Sequence, residues 1–159
     1  MQRWPDELMR FVEQQAPLYI HLAAALPGAA PFVCRGYGLS AELRESDRIR
    51  VHVLKSQWAR VAGLLREDQP LAVLATSGLD NESYQLKGKY AGCRASSEEL
   101  APMLDRQRRI ASLHFPHLVS LTNVKPSDCL AVGIDIAVAY EQTPGPGAGS
   151  LLAERREPS

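Results

Sequence analysis

Two short stretches carry side chains whose types and spacing could grip an anion. In "VLKSQWAR", residues 53–60, a cation, a hydroxyl, an amide and a second cation follow as Lys55, Ser56, Gln57 and Arg60. Period-two apolar residues (Ile49, Val51, Val53) precede them, and apolar residues at helical spacing (Trp58, Val61, Ala62, Leu65) follow, so the chain is expected to pass from strand into helix here. At such a junction free N–H groups and the positive end of a helix dipole would join a hydroxyl and two cations, which is a physical description of a phosphate site. The same residues also describe a helix capped by Ser56 with solvated charges. In "ESYQLKGKY", residues 82–90, strict alternation puts Tyr84, Leu86, Gly88 and Tyr90 on one face and Ser83, Gln85, Lys87 and Lys89 on the other. Placed beside the junction, Gln85, Lys87 or Lys89 would add amide hydrogen bonds and positive charge. Gly88, inside a strand, marks close approach of a ligand or of another backbone.

Other chemistry-bearing residues form weaker patterns. His114 and His117 are three apart, but Pro116 between them ends a helix and no third ligand is evident, so no metal site is expected. Cys34, Cys93 and Cys129 lie in no CxxC pair and are odd in number, which fits reduced thiols. His21 and His52 each sit inside a strand, as packing residues do, with His52 on the side of Arg50. The run Arg106 to Arg109 is expected to be a solvated helix face. No GxSxG or Walker-type motif is present.

The elements that must position these residues follow from periodicity. Asp6 can cap a helix over residues 6–15, with Leu8, Phe11 and Val12 as its apolar stripe. Strands are expected in "PLYIHLAAAL", "PFVCRGYGLSAEL" and "RIRVHVLKS", then a helix ending before Pro70. "LAVLAT" is a continuous apolar run, as for a strand buried on both faces, and residues 83–90 return as its neighbour. Ser96 and Glu99 form a capping box for a longer helix that Pro102 should break or kink. "CLAVGIDIAVAY" sets Leu130, Val132, Ile134, Ile136, Val138 and Tyr140 on one face and small residues on the other. "EQTPGPGAGS" is too rich in Pro and Gly for regular structure. The order is helix, three strands, helix, two strands, helix, strand, which suggests a closed or nearly closed barrel with helices packed outside it. Residues 1–149 are expected to be one domain with a short N-terminal helix, and 150–159 a tail.

The chain has 159 residues, enough to bury a core without staples. Eighteen basic and eighteen acidic side chains cancel, so nothing in the overall charge favours nucleic acid or an anionic membrane. "MQRWPDELMRFVEQQ" is acidic where a signal peptide is basic and then apolar, and no apolar run approaches the roughly 18 residues that span a bilayer. A cytoplasmic location is expected.

Three stretches, "RIRVHVLKSQWARVAGLL", "SYQLKGKY" and "AVAYEQTPGPGAG", in this order of elements, resemble the pyridoxamine 5′-phosphate oxidase-like, FMN-binding split β-barrels, over most of residues 17–149. The resemblance implies a mainly β, six-stranded split barrel, homodimeric, with FMN in a groove between subunits. It places the cofactor phosphate at Lys55, Ser56, Gln57 and Arg60. The ring would lie along Val33–Tyr37 and Val51–Leu54, including Arg35, Val53 and Leu54, with Gln85 and Lys87 supplying polar groups. The function implied is a flavin-dependent oxidoreductase acting on a small substrate or nicotinamide nucleotide; the alternative is a non-catalytic protein that holds a flavin or haem for storage or sensing. Flavin performs the redox chemistry in such enzymes, so no side chain is assigned as catalytic. The sequence departs from the family at Ser56-Gln57-Trp58, where flavin binders commonly carry Arg and Lys after the Ser or Thr. Losing one charge-assisted hydrogen bond costs about 1.5–3 kcal/mol. The residues that recognise pyridoxal phosphate have no visible counterpart, so that reaction is not assigned.

Overall fold

The computed structural model describes residues 4–14 and 17–155. Helix α1 (Asp6–Glu13) leads into β1 (Leu18–Ala24), β2 (Phe32–Ala41) and β3 (Arg48–Leu54), then α2 (Lys55–Trp58). Strands β4 (Pro70–Ser77) and β5 (Ser83–Ala95), helix α3 (Ser97–His114), β6 (Cys129–Glu141) and β7 (Leu151–Glu154) complete the chain. The sheet runs β3-β2-β1-β4-β5-β6-β7 and closes through β3–β6 pairing, so six antiparallel strands make a barrel and β7 is an extra strand. Strand β6 pairs with β3 over Cys129–Asp135 and with β7 over Val138–Tyr140, which is where the barrel splits.

Alternation along each strand builds the core. Ile20, Leu22, Val51, Val53, Val73, Leu86, Ile134 and Ile136 point inward and are essentially fully buried. Each contributes about 1.5–3 kcal/mol, and a slip of one residue would turn a whole strand's set outward, so the register is strongly specified. Aromatic pairs plug the interior. Phe11 of α1 meets Tyr84 edge-on at 4.9 Å, and Trp58 stands 6.3 Å from Phe32 and 6.1 Å from Tyr90. Before α1, Trp4 donates from Nε1 to Asp47 at 3.0 Å, and Arg155 Nε lies 3.4 Å from the same carboxylate, so the two ends of the described chain meet at one buried acid.

The barrel expected from the sequence is present, with local corrections. The helix after β3 is four residues long and is followed by a 3₁₀ turn at Ala62–Leu64, because Trp58 and Val61 bury while Ala62 and Leu64 do not. Strand β4 is not covered on both faces: Leu74 is 39% exposed on its outer side. Ser96 does not cap α3 through its side chain, and Pro102 does not break the helix, which runs through it to His114. On β6 a register shift opposite Lys87 and Gly88 leaves Ala137 unpaired with β5, so Val138 and Tyr140 leave the inner face and Ala139 takes it. Residues 151–154, expected in a tail, form β7, because the Pro/Gly run closes a hairpin: Gly149 N donates to Glu141 O and Glu141 N to Ser150 O. Gly149 takes φ +89, a conformation glycine adopts without steric cost.

Candidate functional site

The junction after β3 is built differently from a capped helix. The chain enters α2 through extended Leu54, no side chain caps it, and Ser56 is an exposed residue of its only turn. Four residues sum too few peptide dipoles to hold an anion by themselves, so any charge comes from side chains. Lys55 Nζ donates to the Ser127 carbonyl at 2.8 Å, which turns it toward the start of β6. Arg60 is exposed. Gln57 is half-buried, with its Oε1 buried and without a hydrogen-bond partner among the described residues. Val53 lies in the barrel core at 0% exposure and offers a ligand only its backbone, while Leu54 packs beside Leu100, Leu104 and Cys129.

Gln85 and Lys87 face outward on β5, as their alternation requires, and belong to a continuous outer surface. Cross-strand register aligns Arg35, His21, Leu74, Gln85 and Tyr140 in one row over β2, β1, β4, β5 and β6. The next row is Val33, Ala23, Ala72, Lys87 and Val138. Val33 is 62% exposed and Leu74 39%, so two apolar side chains face outward over a floor of alanines. Lys87 Nζ sits 5.1 Å from the centroid of the Tyr140 ring, a cation–π pair. Gly36 pairs with Val53, so Arg35 stands beside Leu54 and the first row points at the junction. Going round through β2, β1 and β4, strands β3 and β5 are four spacings apart, and through β6 only two, but along β6 the junction lies opposite Cys129 whereas Gln85 lies opposite Tyr140, near the other end of that strand. The residues expected to converge thus do not form one grip: Lys55, Ser56, Gln57 and Arg60 stand at one end of an open strip, and Gln85 and Lys87 at the other.

Arg35 joins neither cluster. Its guanidinium carbon lies 5.9 Å from the Tyr19 ring centroid and 5.7 Å from that of Tyr37, at the edge of α3. Gln107, Ala111 and Phe115 on the helix side and Leu18, Tyr19 and Gly36 on the strand side line a narrow crevice around it. Arg35 Nε is buried there with no hydrogen-bond partner among the described residues.

A second polar cluster lies beneath the start of α3. His52 is fully buried; its Nδ1 is 2.7 Å from Ser96 Oγ, and its Nε2 is 3.3 Å from Ser40 Oγ and 3.6 Å from Glu99 Oε2. At 3.6 Å Glu99 Oε2 accepts no hydrogen bond from the ring, but its negative charge favours the Nε2–H tautomer, in which Nε2 donates to Ser40 Oγ and the Ser96 hydroxyl donates to Nδ1. Glu99 is paired with Arg94 of β5. Burial drives the His52 pKa down to about 4, opposed by Glu99 and assisted by Arg94 and Arg50. With His52 and Ser96 both at 0% exposure, this serine–histidine–carboxylate set has no access to a substrate and serves to anchor α3. The thiol of Cys34 is pushed up to about 11 by burial, so it is not a reactive thiolate. His114 ends α3, His117 lies in the following 3₁₀ stretch, and both are exposed.

Sequence reasoning missed the outward-facing residues Ala23, Ala72 and Leu74 and Tyr19 beside Arg35. Their outward positions were readable from the alternation of β1 and β4; which strands stood next to each other was not.

No protein-family model matches the chain, and no curated protein matches it. Solved structures do. HupZ of Group A Streptococcus aligns with a TM-score of 0.52 at 10% identity, covering 91% of this chain and 98% of that one. A pyridoxamine 5′-phosphate oxidase-related, FMN-binding protein of Nostoc punctiforme aligns at 0.49 and 12%, covering 92% of this chain and 87% of its own. General Stress Protein 26 of Bacillus anthracis aligns at 0.46 and 10%, covering 84% and 92%. The alignment with HupZ over nearly the whole of both chains, together with the closed six-stranded antiparallel topology, gives this chain the split-barrel fold. Among the described residues no helix is long and apolar enough to cross a membrane.

Proposed function

We propose that the open strip is an FMN groove, closed over by the same face of a second copy, and that the protein is a flavin-dependent oxidoreductase acting on a small organic molecule or a nicotinamide nucleotide. The observation that carries this reading is the pair of aligned cross-strand rows. A planar ring needs a flat, weakly hydrated floor with a few polar groups at its border. Ala23, Ala72, Val33 and Leu74 supply the floor; Gln85 and Lys87 supply the border.

The residues present fit the cofactor at both ends. Gln57 Oε1, buried without a partner, is an acceptor and suits a hydroxyl of the ribityl chain rather than the phosphate. Lys55, Ser56 and Arg60 would take the phosphate. Lys87 places positive charge beside the strip, which favours negative charge developing there, and the Gln85 amide can donate and accept. A second copy laid over Val33 and Leu74 would exclude water from the groove. When bound, the flavin supplies the electron or hydride transfer, and the chain orients it and sets its surroundings.

The as-purified protein is expected to be yellow, with the two visible-region bands of flavin, to bleach with NADH or NADPH, and to sediment as a dimer. Lys55→Ala with Arg60→Ala should weaken FMN retention at least about tenfold, the loss of one charge-assisted hydrogen bond or more, while leaving the dimer intact. Leu74→Asp should give a colourless monomer. A protein that is colourless and does not take up added FMN sinks the cofactor reading; a yellow one that neither nucleotide bleaches sinks the use of nicotinamide nucleotides as donors.

A further inference from the structure

We infer that the crevice between α3 and the strands β1 and β2 is a binding site for a small carboxylate carrying a compact apolar group. Its centre is Arg35. The guanidinium lies within cation–π distance of both Tyr19 and Tyr37, so it is held in place with the rings beside it, and its edge is what remains for an anion. At that edge Nε is buried and donates to no acceptor among the described residues. A buried N–H without an acceptor is costly, and a charged one more so. Among the described residues no Asp or Glu forms an ion pair with Arg35; the other ion pairs involve Arg44, Arg48, Arg50, His52, Arg94, Arg108 and Arg155.

The shape of the missing partner follows from the walls. A carboxylate docked edge-on would accept from Nε and one terminal nitrogen in two parallel hydrogen bonds. One guanidinium balances one negative charge, whereas the second charge of a phosphate would stay desolvated against apolar walls. Leu18, Ala111, Phe115 and Pro17 line the rest of the crevice and can cover a short apolar group. Gln107, 4% exposed, donates to the Tyr37 carbonyl at 3.4 Å and ties α3 to the strand that carries Arg35. The crevice is therefore bounded by two elements that hold each other in place.

The test is an NMR titration of the protein with butyrate, its neutral isostere butyramide, and inorganic phosphate. Butyrate is expected to shift the amide resonances around Gly36 and Ala111 saturably, with butyramide and phosphate at least tenfold weaker and Arg35→Gln at least tenfold weaker for butyrate. Circular dichroism of the variant establishes that it is folded, and the butyramide comparison on the unaltered protein stands without it. Equal binding of butyrate and butyramide, tighter binding of phosphate, or no saturable shift at all overturns the assignment. The titration does not use the visible spectrum: a colourless protein that takes up no added FMN but binds butyrate removes the flavin reading and keeps this one, and a yellow protein that ignores butyrate does the reverse.

Discussion

Gly88→Ala is expected to destabilise the folded chain by about 3 kcal/mol or more, at the upper end of what overpacking costs. A Cβ at this position would lie 2.1 Å from the Asp135 carbonyl oxygen, 2.7 Å from its carbon and 2.9 Å from Ile136 Cα. These are backbone atoms and cannot rotate away. The obstruction is further fixed because the Asp135 carboxylate is held by Arg48 through two hydrogen bonds of 2.8 Å. Relief requires β5 and β6 to part at the register shift that turns Val138 and Tyr140 outward. The variant should lose both stability and the outer row that carries Gln85 and Lys87. At roughly 2–4 °C per kcal/mol for a chain of this size, its melting temperature should fall by about 6–12 °C. Gly63→Ala, where an added Cβ meets nothing within 4 Å, is the control and should change stability by less than about 1 kcal/mol. Equal melting curves for the two variants would mean that β5 and β6 are not in such close contact.

Acid should destabilise the protein over a window set by His52. The unfolded chain binds a proton at the ordinary imidazole value of 6.5, and the folded chain only near 4, because the ring is buried. Between these values the unfolded state carries more protons, so stability falls as pH drops from about 6.5 to about 4 and this contribution levels off below that. At about 1.4 kcal/mol per pH unit the full effect is about 3 kcal/mol. Chemical denaturation at a series of pH values, compared between the unaltered protein and His52→Gln, isolates it. The variant should lose that part of the slope while retaining the acid sensitivity of other groups. Parallel pH profiles would show that the imidazole is not held neutral beneath α3.

The contrast between Lys87 and Tyr140 shows how far one sequence carries. The outward direction of Gln85 and Lys87 is a local property: successive side chains of a strand oppose each other, and Leu86 between them is apolar. The same rule failed for Val138 and Tyr140, because a register shift admits one extra residue and inverts the face beyond it. Ser96 illustrates a different failure. Its spacing to Glu99 matches a capping box, yet its hydroxyl is taken by His52, which is 44 residues away in sequence.

The order of the elements as far as β6, the closure of a mainly β barrel and the two faces of β3 and β5 were thus legible in the chain, since each depends on the period of nearby residues. What stands beside what was decided in three dimensions. Cross-strand register set Arg35, His21, Leu74 and Gln85 in line and placed Lys55 and Gln85 beside opposite ends of β6. The docking of α3 against β1 and β2 made a crevice from residues that no local pattern connects. Contacts between distant segments carry no periodic trace in the sequence, because they depend on the sum of all the packing and not on any one stretch.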